Sequence, residues 1–288
     1  MDLRTLTKKE YPPGLREIPQ IPKKLYIRGA LPPKEAVYLA VVGSRNYTQY
    51  GKEACEKIIR ELRGSPLVVV SGLALGIDSI AHRAALDAGL LTIAIPGSGL
   101  DQKVLYPRTN HALAEKIVDS GGALLSEFEP DFKATPYSFP ERNRLMAGIA
   151  RGILIIEAGE QSGTLITARL GTEYNRDVFV VPGSIFSKNS AGSHWLLKQG
   201  AIPVTSGSDV LEHWGLSGEE KDKERKEKIR ESCSREEQLI LGLLNEPLSK
   251  DELAKKSELP INELNVILSV MEIKGLLKET LGTVRISL

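Results

Sequence analysis

Cysteine is scarce in this chain of 288 residues: only Cys55 and Cys233 occur, far apart and flanked by nothing that suggests a metal site or a redox pair. A disulfide framework is therefore excluded, and both read as ordinary thiols of a reducing compartment. Long apolar runs are missing as well. None approaches the roughly 20 residues that span a bilayer, and Met1-Asp2-Leu3-Arg4 leads into no apolar signal region, so a cytoplasmic protein without membrane contact is expected. The four histidines, His82, His111, His194 and His213, are scattered without ligand spacing to another His, Cys or carboxylate, and no metal centre is expected. No glycine turn is followed by a Walker lysine. Ser44 and Ser71 have no sequence-evident histidine partner, and serine in a tight turn is usually a backbone hydrogen-bonder. The expectation is a protein that is not an enzyme and carries no cofactor.

An excess of charge of one sign is also absent, since the formal net charge is +1. Residues 217–234 carry six basic and six acidic side chains, and residues 235–288 carry seven and nine, which leaves +3 on residues 1–216. If this part binds a polyanion, it does so through a few focused cations, with a salt slope reflecting only a handful of phosphates.

Four segments that are present share one grammar, an apolar run that ends in a small-residue turn before a helical pattern. Val37 to Val42 runs into Gly43-Ser44-Arg45, and Leu67 to Val70 into Ser71-Gly72-Leu73-Ala74-Leu75-Gly76-Ile77-Asp78. Leu91 to Ile95 runs into Pro96-Gly97-Ser98-Gly99, and Ile153 to Ile156 into Glu157-Ala158-Gly159, with Ser162-Gly163-Thr164 opening the next helix. Continuous apolar runs of this length suit strands covered on both faces, which predicts an α/β fold with a doubly wound, mostly parallel sheet. In such sheets the turns after the strands crowd one edge, where backbone N–H groups and helix N-termini attract anions. Several phosphate-sized sites in a row suit a polymer better than one mononucleotide.

Phe139-Pro140-Glu141-Arg142-Asn143-Arg144 adds a ring on which a base can stack and guanidinium groups that meet phosphate oxygens two at a time. The same residues also serve as a core anchor followed by a helix start with surface arginines. Together with Ser126-Glu127-Phe128, Val181-Pro182-Gly183-Ser184 and the approach segments Tyr11 to Leu15 and Leu25 to Gly29, these motifs resemble, in order over about residues 10 to 215, the DNA-processing protein A (DprA/Smf) family. The resemblance implies an extended Rossmann-like core that pairs into a homodimer, binds single-stranded DNA during natural transformation, protects it and helps load the RecA recombinase. It implies main contacts from Arg45, Phe139 and Arg144, with Ser44, Gly72, Asn143, Ser162, Gly163 and Thr164 lining a phosphate track. Gly43, Ser71 and Arg142 belong to the same motifs. Gln161 stands where many members carry a basic residue, and only about ten residues precede Tyr11, where some members carry a helical module.

The expected organisation is an approach segment packed on the core (1–35), the Rossmann-like domain (36–216), a charged linker (217–234) and a small C-terminal domain (235–288). In the last, helices over Glu236 to Leu244, Lys250 to Lys256 and Pro260 to Lys274, with a hairpin turning at Gly282, predict a winged helix. Its third helix offers Asn262, Glu263, Asn265 and Glu272 and only Lys274 as a cation, so a protein-contact role is expected there before duplex DNA binding. One enzymatic alternative is nucleoside monophosphate cleavage, with Arg142 and Glu157 as the catalytic pair. The contiguous Pro-Gly-Gly-x-Gly-Thr turn that such enzymes use is absent.

Overall fold

The computed structural model describes residues 3–216, 233–244, 246–257, 259–280 and 282–286. Two units form, Met1–Ser217 and Gly218–Leu288. The stretch expected as a linker lies outside the described residues, apart from its last two.

In the first unit the apolar runs become strands whose alternate residues face opposite layers. Tyr38, Ala40 and Val42 of β3 (Val37–Val42) join one hydrophobic cluster, while Leu39 and Val41 join another. The same split holds for β4 (Leu67–Ser71), with Val68 and Val70 against Leu67 and Val69, and for β7 (Gly152–Ile155), with Ile153 and Ile155 against Leu154. A strand sandwiched in this way must be apolar at every position, which is why no period-2 pattern shows in the sequence.

The remaining strands are β1 (Arg4–Thr5), β2 (Tyr26–Gly29), β5 (Thr92–Ala94), β6 (Ala123–Ser126), β8 (Asp177–Val180) and β9 (Ile202–Pro203). Nine strands are ordered β1-β2-β6-β5-β4-β3-β7-β8-β9. All pairs are parallel except β1 with β2 and β2 with β6. This is the expected Rossmann-like, mostly parallel α/β sheet, extended by the approach segment. Leu6, Tyr11, Leu15, Ile18, Leu25 and Ile27 of that segment sit in the same cluster as Tyr38 and Val68.

Helices cover both faces. α1 (Gln49–Glu61) starts where the Thr48 hydroxyl accepts from Gly51 N at 3.1 Å, a cap contributing about 1 kcal/mol, and buries Cys55, Ile58 and Ile59. α2 (Ile77–Asp87) packs beside it through Ala81, Ala84 and Ala85. α3 (His111–Asp119), α4 (Ser138–Ile149), α5 (Thr164–Glu173), α6 (Ala191–Lys198) and α7 (Gly207–His213) complete the unit. α7 and Trp214 close on this core: the Trp214 indole meets Phe179 edge-on with centroids 5.4 Å apart and donates to Asp177 Oδ2 at 2.7 Å. Only glycine at 152 leaves room for that indole, since a Cβ would stand 2.7 Å from its Cζ2.

The second unit holds α8 (Arg235–Leu243), β10 (Leu248–Ser249), α9 (Lys250–Ser257), α10 (Ile261–Ile273) and the hairpin β11 (Leu277–Thr280) with β12 (Thr283–Ile286). Ser234 and Ser249 accept from Glu237 N and Glu252 N, starting α8 and α9. β10 was not anticipated; it pairs with β12 and makes the sheet three-stranded. Cys233, Ile240, Leu253, Leu264, Met271 and Val284 form a separate core.

Candidate nucleic-acid interface

The order of strands reverses between β3 and β7, so the turns after these two strands flank the switch point, where open α/β sheets take their ligands. The turn after β3 holds Gly43, Ser44 and Arg45, and the turn after β7 begins with Glu157. Glu157 is buried and accepts from Thr48 N at 2.9 Å and from the Thr48 hydroxyl at 2.5 Å. This carboxylate therefore fixes the far end of the Arg45 turn. Ser44 Oγ accepts from Asn46 N at 3.1 Å, and Ser44 O accepts from Ile77 N at 3.2 Å. Gly43 is needed because a Cβ would come within 2.7 Å of Ile77 Cγ1.

Arg45 is exposed, and its guanidinium carbon lies 5.1 Å from the centroid of the half-buried Phe139 ring. Phe139 and Pro140 fall inside the first turn of α4 rather than before it. Its first residue, Ser138, donates to Gly97 O at 2.5 Å, which seats the ring over the turn after β5. Tyr106 meets Phe139 at 5.8 Å between centroids with the rings tilted by 57°. Tyr106 was missed in the sequence, where nothing connects it to residue 139.

The two other arginines of the segment are placed differently. Arg142 is 3% exposed and donates through Nη1 to Gly72 O at 2.6 Å and to Ile95 O. Its Nε donates to Asn143 Oδ1 at 3.2 Å. Burial lowers its pKa to about 10, with the positive charge of Arg45 adding to the effect and Asp78 opposing it. Asp78, also buried, accepts from Gly72 N at 3.1 Å and from Ala74 N at 3.4 Å. Burial raises the Asp78 pKa, opposed first by the charge of Arg142. The Gly72 N–H and C=O are thus both engaged inside the protein, and Arg142 holds the turns after β4 and β5 together. Ser71 is fully buried, its hydroxyl on Val41 O at 2.6 Å. Arg144 pairs with Glu127 and donates to Gln20 O at 2.6 Å, its side chain 15% exposed. Burial raises the pKa of Glu127 while Arg144 lowers it.

At the N-terminus of α5, Ser162 Oγ accepts from Thr164 N at 3.2 Å, and Thr164 is buried. Gln161 and Gly163 are exposed, with nothing within 4 Å of a Cβ built on Gly163. Arg45, Ser44, Phe139, Gln161, Ser162 and Gly163 therefore face outward or partly so, while Ser71, Gly72 and Arg142 lie beneath. Arg142 and Glu157, the pair of the enzymatic alternative, hold separate partners. Asp78 and Glu127 escaped the sequence reading as partners because nothing in their spacing links them to Gly72 or Arg144.

These features define an open, doubly wound α/β protein whose candidate site is the carboxyl edge of the sheet at its switch point. The model of the family described as DNA recombination-mediator protein A matches residues 2–215, and the chain belongs to that family. It is 45% identical over 201 residues to the DNA processing protein DprA of Streptococcus pneumoniae, covering 70% of each chain. It is 41% identical over 210 residues to the protein Smf of Escherichia coli, covering 71% of this chain but 56%, just over half, of that relative. The X-ray structure of the Streptococcus pneumoniae DprA superposes with a TM-score of 0.68 at 42% identity, covering 73% of each chain. The structure of DNA processing protein A from Helicobacter pylori, described for its single-stranded DNA binding mode, gives 0.65 at 32% identity over 74% of this chain and 95% of that one.

Proposed function

We propose that this protein binds single-stranded DNA without sequence preference along the carboxyl edge of its sheet, in recombination and natural transformation. The observation that carries the reading is the exposed Arg45 guanidinium resting on the Phe139 ring at the switch point. The single-stranded DNA binding mode described for the Helicobacter pylori relative supports it. An incoming base takes the place of the guanidinium on the ring, and the released Arg45 turns to a phosphate. The balance favours the exchange: an exposed cation–π contact is worth about 0.5–1 kcal/mol, a stacked base roughly 1–3 kcal/mol. Phosphates run past Ser44, Asn143, Gln161, Ser162, Gly163 and Thr164. Arg144 joins them only by leaving Glu127, so Arg45 is the leading cation. No bond is made or broken.

In the cytoplasm the protein shields incoming DNA and passes it to RecA. A homodimer would join two short tracks into one and raise affinity through effective concentration. Residues 1–35 serve as the approach segment of a 36–216 core, and 217–234 as a linker to a winged helix over 235–288. In that unit Lys274 pairs with Glu237 at 2.7 Å, while Val266, Val270 and Ile273 of α10 are exposed, which favours a protein contact over a DNA groove.

Fluorescence anisotropy with a labelled single strand and its duplex, titrated at two salt concentrations, tests the reading. A preference for the single strand, weakened moderately by salt, is expected. Equal or negligible binding overturns it.

A further inference from the structure

Phe186 is 92% exposed and its neighbour Ile185 is 79% exposed, and Phe186 is the most exposed large apolar side chain among the described residues. Both stand at the tip of the loop that leaves β8, the strand adjacent to β7 at the switch point. A bare ring gains nothing for folding, so what is informative is how the loop that carries it is held. This loop is fastened at its base and within its turn. Tyr50 Oη donates to Pro182 O at 2.5 Å, and His194 Nε2 contacts Gly183 O at 3.0 Å. Phe186 N donates to Ser184 Oγ at 3.2 Å and Ser187 N to Ser184 O at 3.0 Å, which closes the turn at the tip. Beyond the tip, Asn189 Nδ2 donates to Asn46 O at 2.7 Å, one residue from Arg45. The backbone of Gly192 donates to Ala158 O at 2.8 Å, in the turn after β7. The loop is thus bonded to both turns that flank the switch point.

Charge points to the chemistry of what covers the ring. From residue 178 to 208 there is no Asp or Glu, although the chain has 37, and Lys188 and Lys198 fall within that span. Lys188 is exposed two residues after the ring, and no carboxylate pairs with it among the described residues. An exposed aromatic ring two residues from an exposed cation, in an acid-free stretch of sequence, suits a base and its phosphate.

We propose that Phe186, with Lys188 beside it, is a second stacking platform for single-stranded DNA, extending the track from Phe139 past Arg45 to the turn after β8. The inference rests on the single-strand reading above. Phe139 sits over the β5 turn and Phe186 follows β8, four strand spacings apart, or about 19 Å at ~4.8 Å each. A short oligonucleotide occupies one platform only, and a longer one reaches both.

The test compares parent, Phe186→Ala and Phe139→Ala on labelled oligothymidylates of about 4 and about 16 nucleotides, lengths that bracket known single-strand site sizes. Phe186→Ala should bind the short strand like the parent and the long strand about fivefold to a hundredfold more weakly, the range one stacked base gives. Phe139→Ala should lose affinity at both lengths. Phe186→Trp should bind the long strand like the parent and show emission quenched by it. Equal affinity of Phe186→Ala and parent at both lengths overturns the inference while leaving the single-strand reading standing, and assigns the tip to another partner. A parent with no affinity for either strand overturns the single-strand reading itself. Phe186 is almost wholly exposed, so the variant is expected to melt with the parent.

Discussion

The guanidinium of Arg45, in the turn after β3, rests 5.1 Å from the ring centroid of Phe139, in the first turn of α4. The two residues should therefore contribute to strand binding in different currencies and in a coupled way. Phe139→Ala should weaken single-strand affinity by about 1–3 kcal/mol with an unchanged salt slope. Arg45→Ala should reduce the slope of log affinity against log salt by about 1, and its loss should shrink as salt rises. Because the contact between the two side chains must break before either meets the strand, each single variant is spared that cost and the double variant should lose more than the simple total, by about 0.5–1 kcal/mol, which a double-mutant cycle reads. Parent-like affinity in both single variants would show that the strand runs elsewhere.

Gly163 and Gly72 make a contrasting pair. Nothing lies within 4 Å of a Cβ on Gly163, whereas one on Gly72 would overlap the guanidinium of Arg142 and the carboxylate of Asp78. Gly163→Ala should leave the melting temperature within about a degree or two, as an open surface site predicts. Any loss of strand affinity in that variant then reports the close approach of a phosphate to the backbone. Gly72→Ala should lower the melting temperature by several degrees, because buried groups must move together. Unaltered affinity in Gly163→Ala would take residue 163 out of the track.

The strands that bracket the switch point were legible because sandwiched strands must be apolar throughout, and β3, β4 and β7 announce themselves in that way. β2 and β6 are not legible as strands: Tyr26–Gly29 and Ala123–Ser126 are short, and their antiparallel pairing depends on residues nearly a hundred positions apart. The outward Arg45 and Phe139 were legible by type. The inward turn of Arg142 was not, since an Arg two residues from another, in a segment rich in polar groups, looks alike whether it meets phosphate or a carbonyl. What decides is the pair of carbonyls, Gly72 O and Ile95 O, that the fold brings beneath α4. By type Glu157 is a candidate catalytic partner in the sequence, whereas the fold gives it the Thr48 backbone and hydroxyl to hold.

Arg142→Ala should act first on stability. It leaves Gly72 O and Ile95 O without their donor and the buried Asp78 without its nearest positive charge, a change of the kind that costs about 3–5 kcal/mol. Arg142→Lys should recover little, because a single ammonium cannot also reach Asn143 in the plane the guanidinium spans. Thermal unfolding checks this, and strand titrations below the lower melting temperature separate it from binding. A variant that melts with the parent and has lost only affinity would make Arg142 a direct contact instead.

His82 gives the core a defined acid limit. The Thr92 hydroxyl donates to Val69 O at 2.8 Å, so its oxygen must accept from His82 Nδ1, 2.7 Å away, which leaves Nε2 as the unprotonated nitrogen of a fully buried ring. That Nε2 is buried without a hydrogen-bond partner, and the Ser71 backbone only partly offsets the cost of charging the ring. Burial, with the charge of Arg142 adding to it, lowers the pKa to about 3. Between about 3 and the ordinary 6.5 the unfolded chain binds a proton at this position that the folded protein refuses. Stability from this group is therefore complete above 6.5 and declines as pH falls, by at most about 1.4 kcal/mol per pH unit. Asp78 and Glu127, whose pKa values are raised, work in the opposite sense over the acid range. His82→Asn keeps a donor for Thr92 and retains both carboxyls, so subtracting its stability-versus-pH curve from the parent's isolates the histidine. The difference should rise with pH from 3 to 6.5 and level off above; a flat difference would mean that the folded protein admits the proton at His82.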